Sequence, residues 1–325
     1  MRVALPSRSV LTSLAAGALL VPLAAGCSAF ADDQGDAAAF DGEGRVSVAA
    51  AFYPLQYVAE RVGGDRVDVR NLTTVGQEPH DLEPSIDETS AIASADLVVH
   101  EQGFQPALDE AIAQNATGTV LDAADVVDLL PFDEEHSHEG EEHAEEEGHD
   151  HEGELDPHFW LDPTLLAEVT TSVADDLAEI DPDHADEYAA NAAALTDDLT
   201  DLDTAFSTGL AQCARDTIVV SHDAFGYLGD RYDLQVEGVA GLSPDAEPTP
   251  AVLADLQELI RTEGITTVFS ERLASPALTR SLASDAGVTT EILDPLEGLS
   301  DQTANEDYLS LMERNLQVLQ QANGC

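Results

Sequence analysis

The stretch PDHADEYAANAAALTDDLTDLDTAFSTGLAQ, residues 182–212, has no proline after Pro182 and no glycine before Gly209. Within it Tyr188, Ala192, Leu195, Leu199, Leu202, Phe206 and Leu210 recur at spacings of three and four, the period of a single apolar stripe on a helix. A helix of that length runs ~45 Å at ~1.5 Å per residue, and it splits the chain into two similar halves. Before it, strand-like VSVAAAF, VDVRNLTTV and DLVVH alternate with helix-like PLQYVAERVGG, SIDETSAIASA and QPALDEAIAQN. After it come TIVVSHDAF, LQVEGVAGL, TTVFSERL and TTEILDPLE, separated by helical segments. In PTPAVLADLQELIRTEG, Val252, Leu253, Leu256, Leu259 and Ile260 share one stripe and Gly264 sits where a helix stops. The pattern predicts an α/β protein of two lobes, each with a mostly parallel sheet flanked by helices, joined by one long rigid helix, with a cleft between the lobes.

A length of 325 residues suits two domains. The expected boundaries are an N-terminal lobe over residues 45–181, the linker helix over 182–212 and a C-terminal lobe over 213–325. Ahead of them, Arg2, Arg8 and the apolar stretch Val10 to Ala25 form a secretory signal over residues 1–26, too short for a spanning helix. Leu23-Ala24-Ala25-Gly26-Cys27 resembles a bacterial lipobox with the usual Leu displaced by one place. That resemblance makes Cys27 the lipidated first residue of the mature protein, held to the membrane by its acyl chains; the alternative is an ordinary signal without lipid. Residues 27–44, rich in Asp, Gly and Ala, form a flexible tether. With Cys27 lipidated, Cys213 and Cys325 are left as a disulfide pair in an oxidising extracytoplasmic space, or else as two free thiols.

Sixty-five acidic residues oppose twelve basic ones, all Arg, for a net charge of −53. That balance argues against nucleic acid or an anionic bilayer surface as partner, because both repel it. Five of the ten histidines fall within HSHEGEEHAEEEGHDH: His136, His138, His143, His149 and His151. They sit in a low-complexity segment over residues 132–155 that cannot fix one geometry, yet offers changing pairs of donors to a cation. Tethered directly before His158, it keeps weakly held ion at high local concentration. The plainer reading, a solvated acidic insertion, explains the Glu but not the His.

Three further histidines share a context. His80 in GQEPHDLEPS, His158 in ELDPHFWLDP and His222 in VVSHDAFGYL each follow an extended segment. In open α/β sheets the carboxyl ends of strands face the ligand crevice, so the three are placed to converge. The segments AFYPLQYVAERVGGDRVDV, EPHDLEPS, DPHFWLDP, SHDAFGYL, GLSPDAEPTP and ILDPLEGL, in this order, resemble the metal-binding lipoproteins that serve high-affinity zinc ABC importers. The resemblance runs from about Arg45 to the C-terminus. It implies Zn²⁺ held in the cleft by His80, His158, His222 and a fourth, oxygen-donating group, for delivery to a permease and its ATPase by a monomeric, membrane-anchored binding protein. Manganese-specific relatives generally carry a carboxylate where this chain has His222.

For the fourth donor the resemblance points to Glu297, with Asp294 as the alternative; relatives that lack a carboxylate there use water and an acid near the first histidine, here Glu78 or Asp81. Three imidazoles and one carboxylate suit zinc, whereas calcium and magnesium demand oxygens. Such ligands must be deprotonated, so affinity should fall as pH drops through ~6.5. Asp156, Asp162 and Asp223 flank the second and third histidines and either orient a ring or are solvated. His100 and His184 are expected to be structural, and Glu271 to pair with Arg272 or cap a helix. The other readings are a surface lipoprotein or adhesin binding manganese or another divalent metal, and a zinc hydrolase. The chain shows no H-E-x-x-H helix and no Gly-x-Ser-x-Gly elbow, so no enzyme is expected.

Overall fold

Parallel strands covered on both faces need near-continuous buried side chains, and the inner strands of both sheets, Val46–Ala50, Leu97–His100, Thr217–His222 and Thr267–Ser270, supply them. The computed structural model describes Phe40, residues 44–132 and residues 155–325. The expected signal peptide, Cys27 and the run carrying His136, His138, His143, His149 and His151 lie outside the described residues.

In the first half, strand β1 (Val46–Ala50) leads to helix α1 (Tyr53–Gly63), β2 (Val67–Asn71), α2 (Ile86–Ser94), β3 (Leu97–His100), α3 (Pro106–Asn115) and β4 (Thr119–Asp122). The strands form one parallel sheet in the order β2-β1-β3-β4, with Ala50 opposite Asn71 on one side and Val99 on the other. Helix α2 starts on a capping box in which Ser85 and Glu88 satisfy each other's backbone amides. The fourth strand has no counterpart in the sequence reading. Its four residues TVLD form the sheet edge with Thr119 and Val120 exposed, so no apolar alternation marks them.

Two antiparallel helices follow, α4 (Pro163–Ile180) and α5 (Ala185–Leu210). The buried residues of α5 are Tyr188, Ala192, Leu195, Leu199, Leu202, Phe206 and Leu210, the same seven as the predicted stripe. The helix is shorter than its sequence span because Pro182–His184 form a separate 3-10 turn; its 26 residues correspond to ~39 Å. One end of α5 is tied to the first half, where Asn191 donates to the Val62 carbonyl (2.9 Å) and Arg66 pairs with Glu187 (3.0 Å). Towards the other end, Asp203 accepts from Arg231 at 2.9 Å and Gln320 donates to the Gly209 carbonyl at 3.2 Å. A helix fastened to both halves along its length acts as a strut.

The second half repeats the first: β5 (Thr217–His222), α6 (Gly226–Tyr232), β6 (Gln235–Ala240), α7 (Pro250–Glu263), β7 (Thr267–Ser270), α8 (Ala277–Ala286), β8 (Thr289–Ile292) and α9 (Tyr308–Asn323). Its sheet is parallel in the order β6-β5-β7-β8. Helix α7 ends at Gly264, whose φ of 66° is the left-handed cap that glycine adopts without strain. Cys213 and Cys325 are joined by a disulfide across a sequence separation of 112 residues, which in the chain-entropy account contributes roughly 4–5 kcal/mol. The fold is therefore the expected pair of α/β lobes joined by a long helix.

Candidate metal centre

The carboxyl ends of both sheets point at the seam between the lobes, and the chemistry gathers there. His80 comes from the loop between β2 and α2, and His158 from the segment entering the 3-10 turn Phe159–Leu161. His222 is the last residue of β5, and Glu297 lies in the connection from β8 to α9. One ligand atom from each of the four lies within 4.8 Å of all the others. Glu297 Oε1 is 3.6 Å from His80 Nε2, 3.3 Å from His158 Nε2 and 3.2 Å from His222 Nε2. Four donors held about 2.0–2.1 Å from one zinc ion in a tetrahedron stand roughly 3.3–3.4 Å apart. The three separations from Glu297 lie close to that edge, and the donor set fits Zn²⁺ in number and type.

Burial makes the arrangement costly unless something occupies its centre. His158 and His222 are 0 % exposed and Glu297 2 %, and His80 Nε2, His158 Nε2, His222 Nε2 and Glu297 Oε1 are buried without a hydrogen-bond partner. Unpaired polar atoms in the interior are rare because each loses its hydration without return. Four at one point, among the described residues, form a group that could hold a cation.

Two rings are aimed by carboxylates. Nδ1–H of His158 donates to Asp156 Oδ1 at 2.8 Å, and Nδ1–H of His222 donates to Glu271 Oε1 at 2.6 Å, an acid that also accepts from the Ser221 hydroxyl. Each bond fixes the tautomer that turns Nε2 towards the centre. Asp156 reaches its place because residue 226 is glycine: a Cβ there would stand 2.5 Å from Asp156 Oδ2. The third ring, His80, sits edge-on to Phe104 with centroids 4.7 Å apart, and Phe104, Phe52 and Trp160 form an apolar wall behind the site.

The same contacts set the protonation of the metal-free site. Burial alone would lower the His158 imidazole, but Asp156 and then Glu297 outweigh it and raise its pKa above the usual value. Burial likewise opposes the His222 cation, and Glu271 followed by Glu297 overrides it, lifting its pKa well above the ordinary value. Glu297 goes the other way: burial would raise it, yet the facing His158, His222 and His80 rings hold it well below the carboxylate range. Without metal, Glu297 faces two imidazoles, His158 and His222, that hold their protons more tightly than usual.

The remaining predicted residues divide clearly. Asp294, the alternative fourth donor, turns away from the centre: its oxygens accept from the Leu296 amide (3.0 Å) and Arg272 Nε (3.1 Å). Glu78 Oε1 is 4.0 Å from His80 Nε2 and accepts from the His80 amide at 3.1 Å, and Asp81 is exposed; neither belongs to the converging set. Asp162 caps α4 through the Thr164 amide, and Asp223, raised to about 6 by burial, lies against the Gly238 amide. His100 bonds Asp109 (3.1 Å) and His184 bonds Asp181 (2.7 Å), both in structural roles. The expectation for Glu271 is corrected, since Arg272 pairs with Asp294 and Glu271 orients His222. Its signal was its place, directly after Ser270 at the carboxyl end of β7. Beside His80 opens a cavity of about 640 Å³ whose wall includes Asp122, Asp125 and Asp128, a negative approach that favours cations.

Comparisons with known proteins agree with this geometry. Residues 48–322 match the family of zinc-uptake complex component A, periplasmic. The chain is 38 % identical over 285 residues to the zinc-binding lipoprotein AdcA of Streptococcus pneumoniae, with 86 % of this chain and 56 % of that protein covered. It is 32 % identical over 295 residues to the high-affinity zinc uptake system protein ZnuA of Bacillus subtilis, covering 89 % and 88 %. The chain thus spans about half the length of the AdcA relatives it matches. Among solved structures, the Zn(II)-bound ZnuA-like domain of Streptococcus pneumoniae AdcA superposes with a TM-score of 0.71 at 33 % identity, over 87 % of this chain and 100 % of that domain.

Proposed function

This chain belongs to the family of zinc-uptake complex component A, periplasmic, and from that premise we propose that it captures Zn²⁺ outside the cytoplasmic membrane and hands it to an ABC permease driven by its ATPase. The observation that carries the proposal is the meeting of His80, His158, His222 and Glu297, whose four inward atoms are buried and unpaired. These are the ligands, with Zn²⁺ as cargo rather than resident cofactor. The protein works as a binding module, not an enzyme. It acts as a monomer, anchored through Cys27, with lobes over residues 45–181 and 213–325 on the 182–212 strut. The histidines at 136, 138, 143, 149 and 151 gather zinc weakly ahead of the cleft.

Zinc enters by displacing protons. His158 and His222 hold theirs more tightly than a free imidazole, so affinity should climb as pH rises through a range lying above the ordinary ~6.5. Competition titration of zinc against a chromophoric chelator, on protein purified without added metal, should show one tight site plus weaker ones. Deleting residues 133–152 should leave the tight site alone. A chain with no tight site, or one whose zinc affinity is flat between pH 6 and 9, overturns the assignment.

A further inference from the structure

Glu297 differs from the two histidines that carboxylates aim: among the described residues its inward oxygen meets only the three rings it faces, at 3.2–3.6 Å, so its direction depends on the backbone that carries it. That backbone is unusual. Leu296 has a φ of +58° and is 0 % exposed, a left-handed conformation that side chains other than Gly, Asn and Asp rarely take. Strained residues of this kind persist only where the surroundings over-determine them.

The surroundings here run through Asp294. Its amide donates to Asn315 Oδ1 at 3.0 Å and its carbonyl accepts from Asn315 Nδ2 at 2.6 Å. Its carboxylate then accepts from the Leu296 amide at 3.0 Å and from Arg272 Nε at 3.1 Å. On the other side of the turn, Trp160 Nε1 donates to the Pro295 carbonyl at 2.7 Å. Asn315 is 1 % exposed on α9, and a buried amide that spends a donor and an acceptor on one residue locks that residue's peptide planes. We propose that Asn315 is a positioning residue for metal binding: by clamping Asp294 on both sides, it holds the left-handed turn at Leu296 that points Glu297 at the three imidazoles.

The proposal rests on the zinc reading above, and its test separates the two. The measurement is zinc affinity by chelator competition for the unaltered protein, Asn315→Ala, Glu297→Gln and the double variant, with thermal melting of each metal-free protein alongside. Loss of an outer partner of a metal ligand typically weakens binding roughly 10–100-fold, and Asn315→Ala should fall in that range. In the Glu297→Gln background the same change should cost less than about 3-fold, because the group it aims has already been replaced. A loss of equal size in both backgrounds makes Asn315 merely structural and overturns the proposal, as does no loss in either. Absence of tight zinc binding by the unaltered chain overturns the zinc reading and this inference with it. If Asn315→Ala does not fold, Asn315→Leu carries the same cycle, since its branched side chain has the same number of heavy atoms and removes both bonds to Asp294.

Discussion

The two lobes place an acid at the same point of the same topology and treat it in opposite ways. In the sheets β2-β1-β3-β4 and β6-β5-β7-β8 the third strands of the two lobes by sequence, β3 and β7, hold matching places. Each is followed at once by a buried glutamate, Glu101 and Glu271, at 2 % and 5 % exposure. Glu271 faces donors, His222 and Ser221. Glu101 faces none among the described residues: both its oxygens are buried and unpartnered, and the charges that reach it belong to Asp156, Asp122 and Asp109. The cause lies on the neighbouring strand. β5 ends on His222, whereas β1 runs into Ala50, Ala51 and Phe52, which fill the core. A position in the fold offers a carboxylate a place near the crevice, and only the group opposite decides whether that carboxylate becomes part of the site or a burden on it.

The sharpest way to break this contrast is to remove the group opposite. His222→Ala takes away a donor and leaves Glu271 buried with only the Ser221 hydroxyl, closer to the situation of Glu101. Zinc affinity should fall by more than about 100-fold, beyond the range for outer partners. The metal-free protein should also lose stability, since a buried charge stripped of its partner typically costs about 3–5 kcal/mol; chelator titration and a urea melt read the two effects separately. Next in size is Glu271→Gln, which keeps the shape and removes the charge. Zinc affinity should drop roughly 10–100-fold, and the His222 pKa, read by NMR, should move down because Glu271 is its largest favourable influence after the opposing cost of burial. A His222 pKa unchanged in that variant means the 2.6 Å contact does not act as an orienting bond.

Most of the fold was legible because periodicity reports burial: the seven apolar residues of α5 were evident at spacings of three and four, and all seven are buried. β4 was not, because a four-residue edge strand with two exposed positions carries almost no pattern. In the site, the three histidines stood out as rare residues in loops after extended segments, and Glu297 through its motif. Glu271 and Asn315 were hidden for a physical reason. Acids are common in this chain, and what distinguishes Glu271 is a partner 49 positions away that only folding brings near. Asn315 sits mid-helix, and its bonds to Asp294 span 21 positions. A residue that works through another leaves at most its place at a strand end as a signature, and Glu101 shares that place with Glu271.

Glu101 gives the smallest effect and the cleanest test of the comparison. Its burial, followed by the charges of Asp156, Asp122 and Asp109, raises its pKa well above the usual carboxylate value, so the folded chain binds this proton more tightly than the unfolded one. Stability from this group is therefore greatest at low pH, and declines as pH rises from the unfolded value of ~4.3 towards the folded one. Glu101→Met removes the carboxyl while roughly keeping its volume. At pH 8 the metal-free variant should be more stable than the parent by about 1–2 kcal/mol, with the gain shrinking towards pH 4, and its zinc affinity should stay within about 3-fold of the parent's, as Glu101 aims no ligand. The same replacement at Glu271 should destabilise the protein and weaken zinc binding. If Glu101→Met lowers stability at every pH, the first lobe does supply a partner for its acid, and the two glutamates are equivalent after all.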